Sequence, residues 1–126
     1  MRIVIATDTN AGLDSPVSPH FGHAGFFVVA DAEDGTVRSV RTIANPFCGS
    51  HGCGQVAGFV ADQGGEVILV GGMGQRAVQA FLDRGIEAVT GAAGSASDAL
   101  RLYLDGQLRG VSPCLEEGRG GGGCHD

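Results

Sequence analysis

The sequence contains no lysine and no tryptophan, and a single tyrosine. Without lysine there can be no Walker A phosphate loop, no Schiff-base lysine and no kinase-type lysine. No apolar run approaches the roughly 20 residues that a membrane-spanning helix needs. The first residues also lack the basic and then apolar pattern of a secretory signal peptide. We therefore expect a cytoplasmic protein without a membrane partner.

The charge balance also excludes a class of partner. The formal net charge is −6 and the pI is about 5.0, which argues against binding to a nucleic-acid backbone. At 126 residues, with 43% hydrophobic and 17% charged residues, the chain is expected to form one globular domain with its own core. Its four cysteines stay reduced in a cytoplasm, which favours ligand or redox roles over disulfide bridges.

Hydrophobic periodicity predicts the element order β-β-β-α-β-α-β-α. An Asp-Gly pair at 34–35 predicts a hairpin turn between the second and third strands. The polar segment 8–25, with its prolines, predicts a loop without regular structure. Strands are expected at 2–7, 26–31, 37–44, 66–71 and 86–91, and apolar helical stripes within 54–65, 72–85 and 95–106.

This order constrains the topology. An initial meander followed by right-handed crossovers predicts a mixed five-stranded sheet of order 3-2-1-4-5, with strand 2 antiparallel to the rest. The loops after strands 1, 3, 4 and 5 then emerge at one edge, together with the starts of all three helices. Ligands of open α/β sheets bind outside the carboxyl ends of the strands, so this edge is the predicted binding site.

The segment Cys48-Gly-Ser-His51-Gly-Cys53 falls at that edge and holds three soft ligand atoms in six residues. Its spacing matches neither a zinc ribbon, a Rieske box nor a plant-type ferredoxin motif. It is either part of a metal site, a redox pair, or a glycine-rich helix entry with incidental thiols. The start of a helix lowers the pKa of a thiol, which favours Cys53 as a ligand.

Two further groups fall at the same edge. His20 and His23 lie in the loop after the first strand, and imidazoles bind soft metal ions. The turn after the fourth strand carries Gly72 and Gly74, and the next helix starts with Gln75 and Arg76. Such a turn is either a tight strand-to-helix connection or a cradle in which backbone N–H groups hold an anion, with Arg76 as the counter-charge.

Three stretches carry a resemblance to a known family: "MRIVIATD" leading to "SPHFGHAGFFVVAD", the His-Gly-x-Gly helix start, and "VILVGGMGQRA" with "GIEAVTG". Over residues 1 to about 108 the chain resembles the dinitrogenase iron–molybdenum cofactor biosynthesis family, which includes NifX-like and NafY-like carriers and orange proteins. The resemblance implies a three-layer α/β/α, ribonuclease H-like fold. It also implies a non-catalytic carrier of an anionic metal–sulfur cluster (Mo/Fe/S or Mo/Cu/S), and a MinD/Mrp-type ATPase as a possible partner.

Two alternatives remain beside the carrier hypothesis: a redox protein using Cys48 and Cys53, and a regulatory module that docks on such an ATPase. A nuclease would need several carboxylates beside Asp8, and Asp14, Asp31 and Asp62 are poorly placed for this. We therefore expect no enzyme activity.

The chain ends in a low-complexity, glycine-rich tail, residues 109–126, after a domain at 1–108. This composition predicts a disordered segment. We expect Cys124 and His125 to act as a tethered lid that adds ligands once Cys48, His51 and Cys53 have engaged the metal.

Overall fold

A computed structural model describes residues 1–21, 24–46 and 53–108, except for the side chain of Cys53. The predicted tail, 109–126, lies outside the described residues. Five strands and three helices follow the predicted order: β1 (Arg2–Thr7), β2 (Phe26–Glu33), β3 (Thr36–Ala44), α1 (Cys53–Asp62), β4 (Val67–Leu69), α2 (Gln75–Leu82), β5 (Glu87–Val89) and α3 (Ala96–Leu104). Within this part of the chain no helix is long and apolar enough to cross a membrane.

The strands form one mixed sheet in the order β3-β2-β1-β4-β5, as predicted. β2 pairs antiparallel with both β1 and β3, whereas β4 is parallel to β1 and to β5. The ends of β1, β3, β4 and β5 therefore point the same way. The central strand β1 is a continuous apolar run because both of its faces are buried.

Alternate residues along the strands point to opposite faces of the sheet and contribute to two separate hydrophobic cores. On one face, Val4 and Ile68 pack with the helices α1 and α2, which contribute Val60 and Phe81. On the other face Ile5 packs with α3. The result is the expected three-layer α/β/α architecture, with two helices on one side and one on the other.

The β2–β3 hairpin turns at Asp34-Gly35, as predicted. Both residues have positive φ, 54° and 78°. Two successive residues in this region are typical of a type I′ turn, whose twist matches that of the flanking strands. Near the turn the register shifts between Asp31 and Ala32, which is how a β-bulge bends an edge strand.

Two details differ from the sequence-based expectation. The loop after β1 was predicted to lack regular structure, but it contains a short 3-10 turn at Gly12–Asp14. Buried Ser15 stabilises this turn, because its hydroxyl accepts a hydrogen bond from the N–H of Ala11 (2.8 Å). The apolar pattern of residues 72–85 puts Val78, Phe81 and Leu82 on one stripe of α2, but Leu82 is 54% exposed, and the buried residues of this helix are Ala77 and Phe81.

An ion pair ties the sheet together at the edge where β1 begins. The Arg2 guanidinium binds the Asp31 carboxylate through two nitrogens (2.7 and 3.3 Å) and also donates to the Gln63 carbonyl at the end of α1 (2.6 Å). The hydrogen bond from Arg2 lowers the pKa of Asp31, and a hydrogen bond from Ser39 adds to the effect.

This lowered pKa predicts a pH-dependent contribution to stability. A carboxyl whose pKa is lower in the folded state stabilises it above the ordinary pKa, near 3.8, and this contribution disappears as the pH falls through the folded value. We expect Asp31→Asn to lower the free energy of unfolding at pH 7, and the difference from wild type to shrink below about pH 4.

Urea unfolding between pH 7 and pH 2 measures this difference. Glu33→Gln is the control, because the pair of Glu33 with Arg38 (3.7 Å) is exposed and its loss should have little effect at any pH. A difference between Asp31→Asn and wild type that stays constant down to pH 2 would contradict the assignment.

Candidate functional site

The candidate site is the edge where β1, β3, β4 and β5 end and the three helices begin, which we call the carboxyl edge. Each helix starts here because each follows a strand that runs toward this edge. The helices α1 and α2 contact one face of the sheet and α3 the other. The edge therefore has two sides, and they differ in what they leave available to a ligand.

On the α3 side the helix N-terminus is occupied by the protein itself. Ser95 and Asp98 form a capping box, in which each side chain accepts a hydrogen bond from the other residue's N–H. The N–H of Ala96 donates to the Ser15 carbonyl in the β1 loop (2.8 Å). Asp98 also places a negative charge in the first turn. This side is unsuited to an anion.

On the other side neither helix carries a carboxylate in its first turn. α2 begins after Gly74, so no side chain caps it. Gln75 and Arg76 follow, and both are exposed. Because the positive end of a helix dipole repels a cation, Arg76 is electrostatically unfavourable at this position unless an anion lies nearby. The local charge distribution thus favours a negatively charged ligand.

Two glycines of the β4–α2 turn are required because a side chain there would collide with the backbone of the loop after β1. A Cβ atom at Gly71 would lie 2.7 Å from Pro19 Cα, and one at Gly72 would lie 3.0 Å from the Pro19 carbonyl oxygen. Both contacts are with backbone, which cannot move aside easily. Packing alone therefore favours glycine at position 72 of the predicted cradle, whether or not the cradle binds an anion.

Backbone hydrogen bonds hold the β1 loop on this turn. The Gly71 N–H donates to the Ser18 carbonyl and the Phe21 N–H donates to the Gly72 carbonyl, both at 2.9 Å. The Ser18 hydroxyl donates to the His20 carbonyl (2.8 Å). The ring of Phe21 is buried and meets Phe81 of α2 edge-to-face, with centroids 5.3 Å apart. Exposed His20 is thus fixed on both sides.

Asn45 makes a second link at the carboxyl edge, one that the sequence analysis did not identify. Its buried side-chain amide donates to the Ala24 carbonyl (2.8 Å), and its backbone N–H donates to the Gly25 carbonyl (2.9 Å). The chain leaves β3 here and enters α1 at Cys53. The sequence signal is weak: an asparagine before a proline, typical of a turn.

The structure places the predicted ligands only in part. His20 is exposed at the carboxyl edge beside the β4–α2 turn, and Cys53 is the first residue of α1. Among the described residues, no three His, Cys, Asp or Glu side chains form a metal-binding group. The remaining predicted ligands lie outside the described residues: His23, Cys48, His51, Cys124 and His125.

The carboxylates that a nuclease would require are spread over the molecule. Asp8 is exposed at the end of β1. Asp31 is bound to Arg2 at the opposite edge, and Asp62 is the last residue of α1, also away from the carboxyl edge. Asp14 ends the short 3-10 turn in the loop after β1.

Comparisons with known proteins agree with this architecture. The protein MJ0580 of Methanocaldococcus jannaschii, itself uncharacterized, is 30% identical over 110 residues, covering 86% of this chain and 89% of that one. The crystal structure of PH0822 has a TM-score of 0.78 at 36% identity and covers 86% of this chain and 95% of its own. The apo form of the orange protein from Desulfovibrio gigas has a TM-score of 0.77 at 32% identity, with 88% and 92% covered.

The model of the family described as "Dinitrogenase iron-molybdenum cofactor" matches residues 1–106. This range contains every described strand and helix. It also contains both sides of the carboxyl edge. The chain belongs to the dinitrogenase iron-molybdenum cofactor family.

Proposed function

We propose that the protein is a non-catalytic carrier of an anionic metal–sulfur cluster, bound at the carboxyl edge on the side of α1 and α2. The observation that carries this proposal is the asymmetry of that edge. The N-terminus of α3 is closed by a capping box and by the β1 loop, whereas α1 and α2 begin without a carboxylate and α2 adds Arg76. Family membership supports the same class of cargo, a molybdenum- or iron-containing cluster.

Two kinds of contact would hold such a cluster. Backbone N–H groups at the start of α2 and the guanidinium of Arg76 suit its negative charge and its sulfide atoms. Soft ligand atoms suit its metal ions: the thiolates of Cys48 and Cys53 and the imidazoles of His20, His23 and His51. The positive helix end and the soft ligand atoms together favour a thiometallate over a phosphate, because a phosphate site does not require thiolates.

The tail completes the proposal. α3 is nine residues long, which is about 14 Å at 1.5 Å per residue. Residues 109–126 could span about 60 Å if extended, so the tail is long enough to return to the carboxyl edge. We therefore keep Cys124 and His125 as proposed late ligands. No relative described above is named for an ATPase, and the MinD/Mrp partner stays a prediction.

Reversing the charge of Arg76 tests the anion site. We expect Arg76→Glu to weaken binding of tetrathiomolybdate, a sulfur-rich anion, by about tenfold, equivalent to about 1.4 kcal/mol. The same substitution should leave the stability of α2 unchanged or slightly raised, because a carboxylate suits a helix N-terminus. The readouts are equilibrium titration of the anaerobic, metal-free protein and its thermal unfolding.

Arg101→Glu is the matched control, because it makes the same change of net charge in the last turn of α3, on the other face of the sheet. Equal loss of affinity in both variants would mean that only net charge matters, which contradicts a site at α2. Wild-type protein that fails to bind tetrathiomolybdate, and that contains no molybdenum, iron or copper after anaerobic purification from its native host, would overturn the carrier proposal.

A further inference from the structure

We propose that Gly71 is a positioning residue for His20: by lacking a side chain, it lets the β1 loop rest on the β4–α2 turn and so holds the imidazole beside the start of α2. This inference rests on the proposed function, since it treats His20 as a ligand-binding residue of that site. The observation behind it is steric. The Cβ position of Gly71 lies 2.7 Å from Pro19 Cα and 3.0 Å from the carbonyl oxygens of Pro19 and Ser18.

No small adjustment relieves these contacts. Contacts of a real Cβ below 3.0 Å are essentially never observed, and the three atoms that a Cβ at Gly71 would meet all belong to the backbone of residues 18 and 19. The φ angle of Gly71 is not in the left-handed region. Glycine is therefore required here for space and not for backbone conformation.

The displaced segment would be the one that carries His20. Phe21 donates its N–H to the Gly72 carbonyl at 2.9 Å. Adding the two bonds from that nitrogen back to the preceding Cα puts His20 Cα within about 6 Å of the Gly72 oxygen. α2 begins three residues after Gly72. A methyl group at residue 71 pushes on Pro19, the neighbour of His20, before it reaches any other part of the fold.

Two anchors limit how the loop can respond. Ser18 is fixed to β1, because its N–H donates to the Ala6 carbonyl (2.8 Å), and Phe21 is fixed in the core against Phe81. The two residues between these anchors, Pro19 and His20, must absorb the displacement. The expected effect of Gly71→Ala is therefore a local reorientation of His20 and not unfolding of the domain.

The first test needs no metal. In the metal-free protein, the His20 imidazole signal, identified as the one missing from the ¹H–¹³C NMR spectrum of His20→Ala, should shift in Gly71→Ala. Gly65→Ala is the matched control: its Cβ would lie 2.8 Å from Val60 Cγ1 and 2.9 Å from Val4 Cγ2, a similar steric insult at the opposite edge. An unmoved His20 signal in Gly71→Ala, or an equal shift in Gly65→Ala, would overturn the positioning role.

The second test asks whether Gly71 acts on binding through His20. Tetrathiomolybdate affinity should fall by about tenfold in His20→Ala, the value of one hydrogen bond to a charged group, and by a similar factor in Gly71→Ala. The double variant should lose less than about twofold beyond His20→Ala, because the two substitutions remove the same interaction.

The outcomes separate the two proposals. Fully additive losses in the double variant would contradict the inference, since Gly71 would then act on binding independently of His20. Wild-type protein that does not bind tetrathiomolybdate would count against the carrier function, and so against His20 as a ligand-binding residue. The NMR comparison would still decide whether Gly71 positions His20.

Discussion

Replacing Phe81 with alanine should destabilise the protein by about 3–5 kcal/mol, a large part of the roughly 5–15 kcal/mol by which a domain of this kind is stable. Phe81 is completely buried in α2 and packs in the core between the sheet and the two helices α1 and α2. Its removal loses the transfer free energy of the ring and leaves a cavity that rigid strands cannot fill. Urea unfolding measures this loss of stability, provided that the variant and the wild type have the same m-value, the slope of the unfolding free energy against urea concentration.

The neighbouring residue provides the control. Leu82 follows Phe81 in α2 but is 54% exposed. Since little apolar surface is lost there, Leu82→Ala should change stability by less than about 1 kcal/mol. Similar losses in the two variants would contradict the burial pattern of α2, and with it the side of the helix that faces the sheet.

The Phe81 substitution also connects the core to the binding edge. Phe21 meets Phe81 edge-to-face, and Phe21 lies in the loop after β1, where its N–H donates to the Gly72 carbonyl. Without its aromatic partner, Phe21 loses part of the packing that holds this loop on the β4–α2 turn. We therefore expect Phe81→Ala also to loosen the segment that carries His20, because Phe21 belongs to the same core cluster as Phe81.

Local pattern was sufficient to predict the sheet. β1 was predicted with its observed bounds, and Asp34-Gly35 formed the expected turn, because both signals depend only on adjacent residues. β4 and β5 are shorter than predicted, three residues each. Their last predicted residues lie beyond the strand ends, although backbone hydrogen bonds still join the two segments there: the Gly91 N–H donates to the Gly71 carbonyl (2.9 Å). Hydrophobicity identifies a buried residue but not the point at which regular strand geometry ends.

The carboxyl edge was harder to predict because its geometry depends on contacts between distant segments. From the sequence, Gly72 and Gly74 fit an anion cradle and a tight strand-to-helix turn equally well, and only the contact of Gly72 with Pro19, more than 50 residues earlier in the chain, identifies the packing requirement. The capping of the α3 N-terminus could be predicted in part, since Ser95 and Asp98 have the spacing of a capping box. The contribution of Ser15 to that capping, through its carbonyl, has no sequence signature.

The largest effect on metal binding is expected from the thiols of Cys48 and Cys53. We predict that Cys48→Ser with Cys53→Ser weakens Cu⁺ binding at least about 100-fold, equivalent to about 2.7 kcal/mol. Thiolates are the ligands that soft ions such as Cu⁺ prefer, and a serine hydroxyl is a poor substitute. Cys53 is the first residue of α1. Competition with a chromogenic Cu⁺ chelator under anaerobic conditions measures the affinity.

Cys114→Ser is the matched control, because it removes one thiol that the proposal leaves out of the ligand set. It should bind Cu⁺ within about threefold of wild type, a difference of about 0.7 kcal/mol. The single variants separate the redox alternative: a Cys48–Cys53 redox couple is abolished as completely by Cys48→Ser alone as by both substitutions, because a disulfide needs both sulfurs. For a metal site, the second substitution should cost additional affinity. If the double variant binds Cu⁺ as tightly as Cys114→Ser does, the thiols are not metal ligands, and the redox pair and the glycine-rich helix entry are the two alternatives that remain.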